Sequence, residues 1–274
     1  MPTQNLPGLM LDRAHPLSRG LVGWWPMNEG GGTRVNDISG NNNAGAFSGI
    51  TQGSTSGWAG GFNGRAVMFD GTDDAVAIPT AAPLQITGAI SVCGWVNIPA
   101  LSGYYIMAEK GPAYPNPYAI VTEPGGTVEW LRGNGASQSY VISTGAISAG
   151  VWQFIVGTWA DGVFRIYLNG RFDNSASASP TCTDDGQALY IGMRRDAAAA
   201  MPGRIAHVRL YNRALLAAEV AQLYAEPLAG AKTPPKWGRY IWQAAAPALG
   251  SAKLSADRLY NRSGGRVWRR GDTG

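Results

Sequence analysis

The chain is poor in charge, poorer in histidine and nearly without cysteine. Of its 274 residues only 15% are Asp, Glu, Lys or Arg, and there are two His and two Cys. Two imidazoles, His15 and His207, leave little material for histidine-based acid–base chemistry or for a histidine-rich metal centre. Cys93 and Cys182 are far apart in sequence and lack metal-ligand spacing; a disulfide between them is one reading, and two reduced thiols is the plainer one. No apolar run approaches the length of a membrane span, and the first residues lack the basic-then-apolar order of a signal peptide. The expectation is a soluble chain with no membrane partner. Strand and helix signals nowhere alternate as βαβ units, which excludes a parallel α/β fold.

What is abundant is glycine, with 38 residues, and tryptophan, with 10. Many short strands joined by tight turns give that profile. The formal net charge of +4 is unevenly spread. Residues 232–274 hold nine Lys or Arg against Asp257 and Asp272, a balance of +7, which leaves −3 for residues 1–231. The basic character belongs to the tail, so a uniformly basic nucleic-acid-binding surface on the remainder is not expected.

Residues 1–19, with Pro2, Pro7 and Pro16 and no sustained period, read as an extended arm. Strand signals begin at Leu21–Met27 and recur at 66–69, 75–78 and 90–98, where apolar and other residues alternate with a period of two. Between Val151 and Asn174, Asp161-Gly162 and Asn169-Gly170 suit the paired positive backbone angles of type I′ turns and predict a three-stranded meander. Further strands follow at 189–192 and 204–211. Leu216, Val220, Leu223 and Tyr224 lie at i, i+4, i+7 and i+8 and predict one helix over about 214–225, ended by Pro227. The domain boundary falls near Gly230. These pieces give an all-β fold of antiparallel sheets with one short C-terminal helix and a tail. The division is a 1–19 arm, a 20–230 sandwich and a 231–274 basic, aromatic arm.

The order of certain segments resembles the laminin-G-like branch of the concanavalin A-like jelly-roll superfamily. The carrying segments are residues 20–29 (GLVGWWPMNE), 37–45 (DISGNNNAG), 66–71 (AVMFDG), 90–96 (ISVCGWV), 167–170 (YLNG) and 203–215 (GRIAHVRLYNRAL). The resemblance covers about residues 20–226 and implies a two-sheet antiparallel jelly-roll sandwich closed by the helix. Two departures matter. In that family the closing strand reads Gly-x-Ile-Asp, and its acidic residue helps to hold a structural calcium; here Ala206 stands at that position. The helix ordinarily opens with a Ser or Thr cap, whereas here Leu216 precedes Glu219, forfeiting about 1 kcal/mol. Residues 11–23 also resemble the opening of laminin-G-like proteins encoded among bacteriophage and prophage virion genes.

Glycoside hydrolases of this jelly roll use Glu-x-Asp-x-x-Glu on one strand; Glu109, Glu123 and Glu129 are separated by loop residues and do not make that pattern. No enzyme is expected. No cofactor is required, and the metal candidates Asp37, Asn41, Asp70 and Asp73 read first as turn residues, calcium being disfavoured by Ala206. Glycan contacts are expected from Tyr104, Tyr105, Tyr114 and Tyr118, which cluster in a proline-rich loop region, and from Trp130 nearby in sequence. Trp237, Arg239, Tyr240, Trp242, Arg258, Tyr260, Trp268 and Arg269 read as anchors on other virion proteins or copies of this chain, with nucleic acid the less favoured partner. The resulting expectation is a virion-located bacteriophage structural protein, a capsid decoration or tail-associated component displaying a glycan-adhesion domain. A free carbohydrate-binding lectin module is the alternative and a polysaccharide hydrolase stands behind both.

Overall fold

A computed structural model describes residues 8–111, 117–134, 136–184, 186–194 and 199–232. Its strands, in chain order, are β1 (Met10–Leu11), β2 (Leu21–Trp25), β3 (Arg34–Val35), β4 (Gly45–Ser48), β5 (Gly57–Gly61) and β6 (Gly64–Asp70). They continue with β7 (Ala75–Ile78), β8 (Ile90–Asn97), β9 (Tyr105–Lys110), β10 (Tyr118–Thr122), β11 (Val128–Gly133) and β12 (Gln138–Ile142). Then come β13 (Gln153–Ala160), β14 (Val163–Leu168), β15 (Arg171–Ser177), β16 (Leu189–Ile191), β17 (Pro202–Tyr211) and β18 (Ala231–Lys232), with helix α1 (Ala217–Ala225) before the last strand.

All pairings are antiparallel. One sheet runs β12-β11-β10-β9-β16-β7-β4-β3 and the other β15-β14-β13-β8-β17-β6-β5, with β2 also on β17. The long β17 shares one edge between two partners: residues 202–205 pair with β6 and residues 208–211 with β2. This is the two-layer sandwich the sequence implies. The β13–β14–β15 meander is present, with Asp161, Gly162, Asn169 and Gly170 all at positive φ, between 51° and 80°. These are the angles a two-residue type I′ hairpin demands.

The main core lies between the sheets and is built from Trp25, Phe69, Ile78, Ile120, Trp130, Ile155 and Phe164 among others. Trp130 fits there because Gly157 faces it on β13: a Cβ at that position would stand 2.5 Å from the indole. A second apolar cluster covers the outer face of the β13–β8–β17 sheet and gathers Leu17, Trp24, Trp95, Phe154, Val220 and Leu223. Helix α1 packs there through Val220 and Leu223, while Tyr224 stacks on Trp95 at 5.5 Å. Arg209, 2% exposed, lies 3.7 Å over the Trp24 ring and donates to the Pro227 carbonyl, so its charge is enclosed by a π face and a backbone acceptor.

Several boundaries differ from the sequence reading. Residues 10–19 are no free arm: β1 pairs with β18, and Leu17 is 2% exposed in the second cluster. The sandwich therefore runs through Lys232, past Gly230. Helix α1 starts at Ala217, and Leu216 is its exposed N-cap residue rather than part of the buried stripe. Leu216 has no side-chain acceptor, yet half of the capping box survives, since the Leu216 N–H donates to Glu219 at 2.9 Å. Arg213 holds Glu219 with two 2.7 Å bonds and keeps its carboxyl below the usual range, despite the opposing effect of burial. The expected partner anchors Trp237, Arg239, Tyr240, Trp242, Arg258, Tyr260, Trp268 and Arg269 lie outside the described residues.

Candidate glycan-binding groove

Strands β9 to β12 were absent from the sequence reading, and they build the site. On β10, Tyr118 and Ile120 turn into the sandwich, so Ala119 and Val121 point to the opposite, outer face. The register carries that face across the sheet: Ala119 is opposite Glu109 on β9 and Leu131 on β11, and Val121 is opposite Ile106 and Glu129. Leu131 in turn faces Tyr140, and Glu129 faces Ile142, on β12. Ala199 packs against Ile106, Ala119, Val121 and Leu131, making a third small apolar cluster. The result is a groove of about 490 Å³. Its floor is apolar, Tyr104 and Tyr140 stand at 57% and 49% exposure, and Glu109, Glu123, Glu129, Gln138 and Arg194 are its polar lining. An apolar bed with a few convergent polar groups is the general form of a small-ligand site.

Glu129 is the most perturbed of these carboxyls. It is 8% exposed, and burial first, then the neighbouring Glu123 charge, push its pKa up to about 7. It makes no side-chain hydrogen bond among the described residues. Glu123, by contrast, accepts a 2.7 Å bond from the Thr127 hydroxyl. The sequence reading set these glutamates apart as loop-separated residues; pairing of β9, β10 and β11 brings them to one groove.

Of the five aromatic residues expected to touch a ligand, Tyr104 lines the groove. Tyr118 and Trp130 are corrected: both are fully buried between the sheets. Tyr118 donates to the Leu84 carbonyl at 3.1 Å and Trp130 to the Thr158 carbonyl at 3.0 Å, so neither offers a face to solvent. Tyr105 is opposite Thr122 and packs on the main core, on the far side of the sheet from the groove. Tyr114 lies outside the described residues. Tyr140 was missed, although its neighbourhood to alternating Ser139 and Val141 is an exposed-edge pattern.

The metal candidates separate into two places. Asp37 ties a loop to β2: its Oδ1 accepts from Trp24 N and Ser39 N, and its Oδ2 accepts from Ser39 Oγ and Asn43 N, all at 2.8–2.9 Å. Asn41 donates to the Val22 carbonyl at 3.1 Å. Four donors converge on the Asp37 carboxylate, and Ala206 is buried in the second apolar cluster. That donor set does not fit a calcium ion, which needs open oxygen lone pairs. Asp70, Asp73 and Asp74 have oxygens within 4.8 Å of one another. Asp74 there accepts from Ser56 Oγ and Asp70 N, and Asp70 accepts from Thr72 N, the bonding of a tight turn.

The remaining chemistry-bearing groups are structural. His15 caps a short 3-10 turn by accepting from Leu17 N. His207 sits in a bulge of β17, buried, with Nε2 3.0 Å from the Phe62 carbonyl and a pKa brought down to about 4 mainly by burial. Cys93 and Cys182 are free thiols, and burial raises Cys93 to about 12, far from a reactive thiolate.

A concanavalin A-like lectin/glucanase superfamily model of the laminin G type matches residues 70–221, more than half of the chain. The chain belongs to that family. No curated protein sequence matches it. Among solved structures, it is similar to the binding domain of Paraclostridial Mosquitocidal Protein 1, with TM-score 0.62 and 15% identity over 77% of this chain and 53% of that one. It is also similar to domain 4 of AbnA, a GH43 extracellular arabinanase from Geobacillus stearothermophilus in complex with arabinotriose, with TM-score 0.60 and 21% identity over 74% and 98%. A third is Trypanosoma rangeli sialidase in complex with the inhibitor DANA, with TM-score 0.56 and 17% identity over 74% and 32%. At these identities the likeness is one of fold, and this chain spans about half of the mosquitocidal protein's domain.

Proposed function

We propose that this protein is a glycan-adhesion component of a bacteriophage particle, binding a short oligosaccharide in the β9–β12 groove and assembling through its basic tail. The observation that carries the binding role is the groove itself: an apolar floor, two tyrosine faces and convergent carboxyl, amide and guanidinium groups on one sheet face. Sugar rings stack on such faces while their hydroxyls donate to carboxylates. The phage setting is supported by the resemblance of residues 11–23 and by the contrast between a +7 tail and a −3 remainder.

Titration calorimetry against neutral and charged oligosaccharides tests the groove. Tyr140→Ala should weaken binding of any responding glycan about tenfold while leaving the melting temperature nearly unchanged, because surface substitutions act within roughly 0.5 kcal/mol. Unchanged affinity in both Tyr104→Ala and Tyr140→Ala would remove the groove from the reading. Truncation after Lys232 should leave a folded sandwich that mass spectrometry no longer finds in purified virions; normal incorporation of the truncated chain would refute the assembly role of the tail.

A second reading, a glycoside hydrolase, is favoured by one observation: Glu129, with a pKa near 7, shares the groove with Glu109 and Glu123. A carboxyl whose pKa is raised toward neutrality, beside a second carboxyl, is the arrangement acid-catalysed glycoside cleavage uses. Reducing-end release that Glu129→Gln abolishes would establish it over pure binding.

A further inference from the structure

Among the described residues, the charged lining of the groove is Glu109, Glu123, Glu129 and Arg194, above an apolar floor. Glu129 is more than nine-tenths buried, directed into the groove, and without a hydrogen-bond donor of its own among the described residues. Its carboxyl oxygens open to the groove, where a cation or donor from a ligand can reach them. Tyr104 and Tyr140 flank the same space with exposed rings, whose faces are electron-rich. Carboxylates at the base and tyrosine faces at the rim are the surroundings that an ammonium group prefers to water. An acidic sugar would instead set its own carboxylate against the Glu123 and Glu129 carboxyls, a juxtaposition that discriminates against it.

We infer that the groove selects glycans bearing free amines, deacetylated hexosamines rather than N-acetylated or acidic sugars, with the ammonium group seated against Glu129 and the rings on Tyr104 and Tyr140. This rests on the glycan reading of the same groove and narrows it. The ring stack supplies the apolar contact, and the ion pair, held out of water by Ile106, Val121 and Leu131, supplies the selectivity. An N-acetyl group abolishes the charge and adds bulk where the ammonium would sit.

The test uses the full chain and two probes of one length and linkage, a β-1,4 glucosamine tetrasaccharide and its fully N-acetylated counterpart, with a galacturonate tetrasaccharide as the acidic probe. The expected result is at least tenfold tighter binding of the free-amine probe, an advantage that shrinks with salt and is lost in Glu129→Gln. Asp161→Asn, a charge removal in the β13–β14 turn away from the groove, should leave binding unchanged. If Asp161→Asn weakens binding as much as Glu129→Gln, the attraction is general to the acidic sandwich and the inference falls. If the acetylated or acidic probe binds as tightly as the amine, the inference falls while the glycan reading stands. If none of the three binds, and a panel of neutral oligosaccharides also fails, the glycan reading falls with it.

Discussion

Trp130→Ala should lower stability by about 3–5 kcal/mol, the range for truncating a fully buried large aromatic residue. For a domain of this size that is on the order of 10 °C in melting temperature. The residue has no exposure, donates to Thr158 and lies edge-on to Phe164 at 6.4 Å. Its cavity is framed by Gly157, and that gives the experiment a second arm. Gly157→Ala alone forces a methyl into the indole and should cost about 1–3 kcal/mol by overpacking. In the double variant the methyl enters the space the indole left, so the combined loss should be smaller than the sum. Additive losses would show that Trp130 does not lie over Gly157. The same variants separate core from ligand roles: a Trp130→Ala protein that is stable but loses glycan binding would restore the indole to the binding surface.

That correction shows where the sequence stops being legible. The meander of β13 to β15 was readable because Asp-Gly and Asn-Gly fix two-residue turns, and the turns fix the register. The helix was readable from Val220 and Leu223, but its first turn was not, because Leu216 is apolar yet caps the helix in solvent. In β9 to β11 the usual polarity is inverted. Lys110 and Arg132 point to the core side, where Lys110 pairs with Asp184 at 2.9 Å and Arg132 donates to the Ile86 and Gly88 carbonyls. Ile106, Ala119, Val121 and Leu131 point outward to floor the groove. With apolar residues on both faces and charges inside, alternation no longer tells which parity is buried. Tyr118 and Trp130 were therefore assigned to the wrong side, and Glu109 and Glu129 were not seen as neighbours. At Asp37 the limit is different: the residue type suits a turn or a metal equally, and its four incoming hydrogen bonds depend on how its loop folds onto β2, which composition does not encode.

The pH dependence of stability should change shape in two opposite single variants. Glu129 has a folded pKa of about 7 against an ordinary value of 4.5. Between those values the native state holds a proton that the unfolded chain has released, so stability falls as pH rises and the loss is complete above about pH 7. The shift corresponds to about 3 kcal/mol at 1.36 kcal/mol per unit. His207 does the reverse. Its pKa is brought from 6.5 to about 4, so between those values the unfolded chain binds a proton that the native state refuses, and stability falls as pH drops. The two windows overlap and the slopes oppose each other, so the contributions of Glu129 and His207 should nearly cancel in the wild type from about pH 4.5 to 6.5. Glu129→Gln removes one slope. At pH 8 it should be the more stable protein by about 2–3 kcal/mol, at pH 4 it should match the wild type, and between them the His207 slope should emerge as acid sensitivity. His207→Gln should expose the other slope, a protein that weakens steadily from pH 4.5 to 7 whatever its absolute stability. Denaturant titrations at four pH values measure both. Parallel profiles for wild type and Glu129→Gln would mean that the Glu129 carboxyl ionises in the groove as freely as in the unfolded chain, and with that the charge argument for an amine-bearing ligand would lose its buried acid.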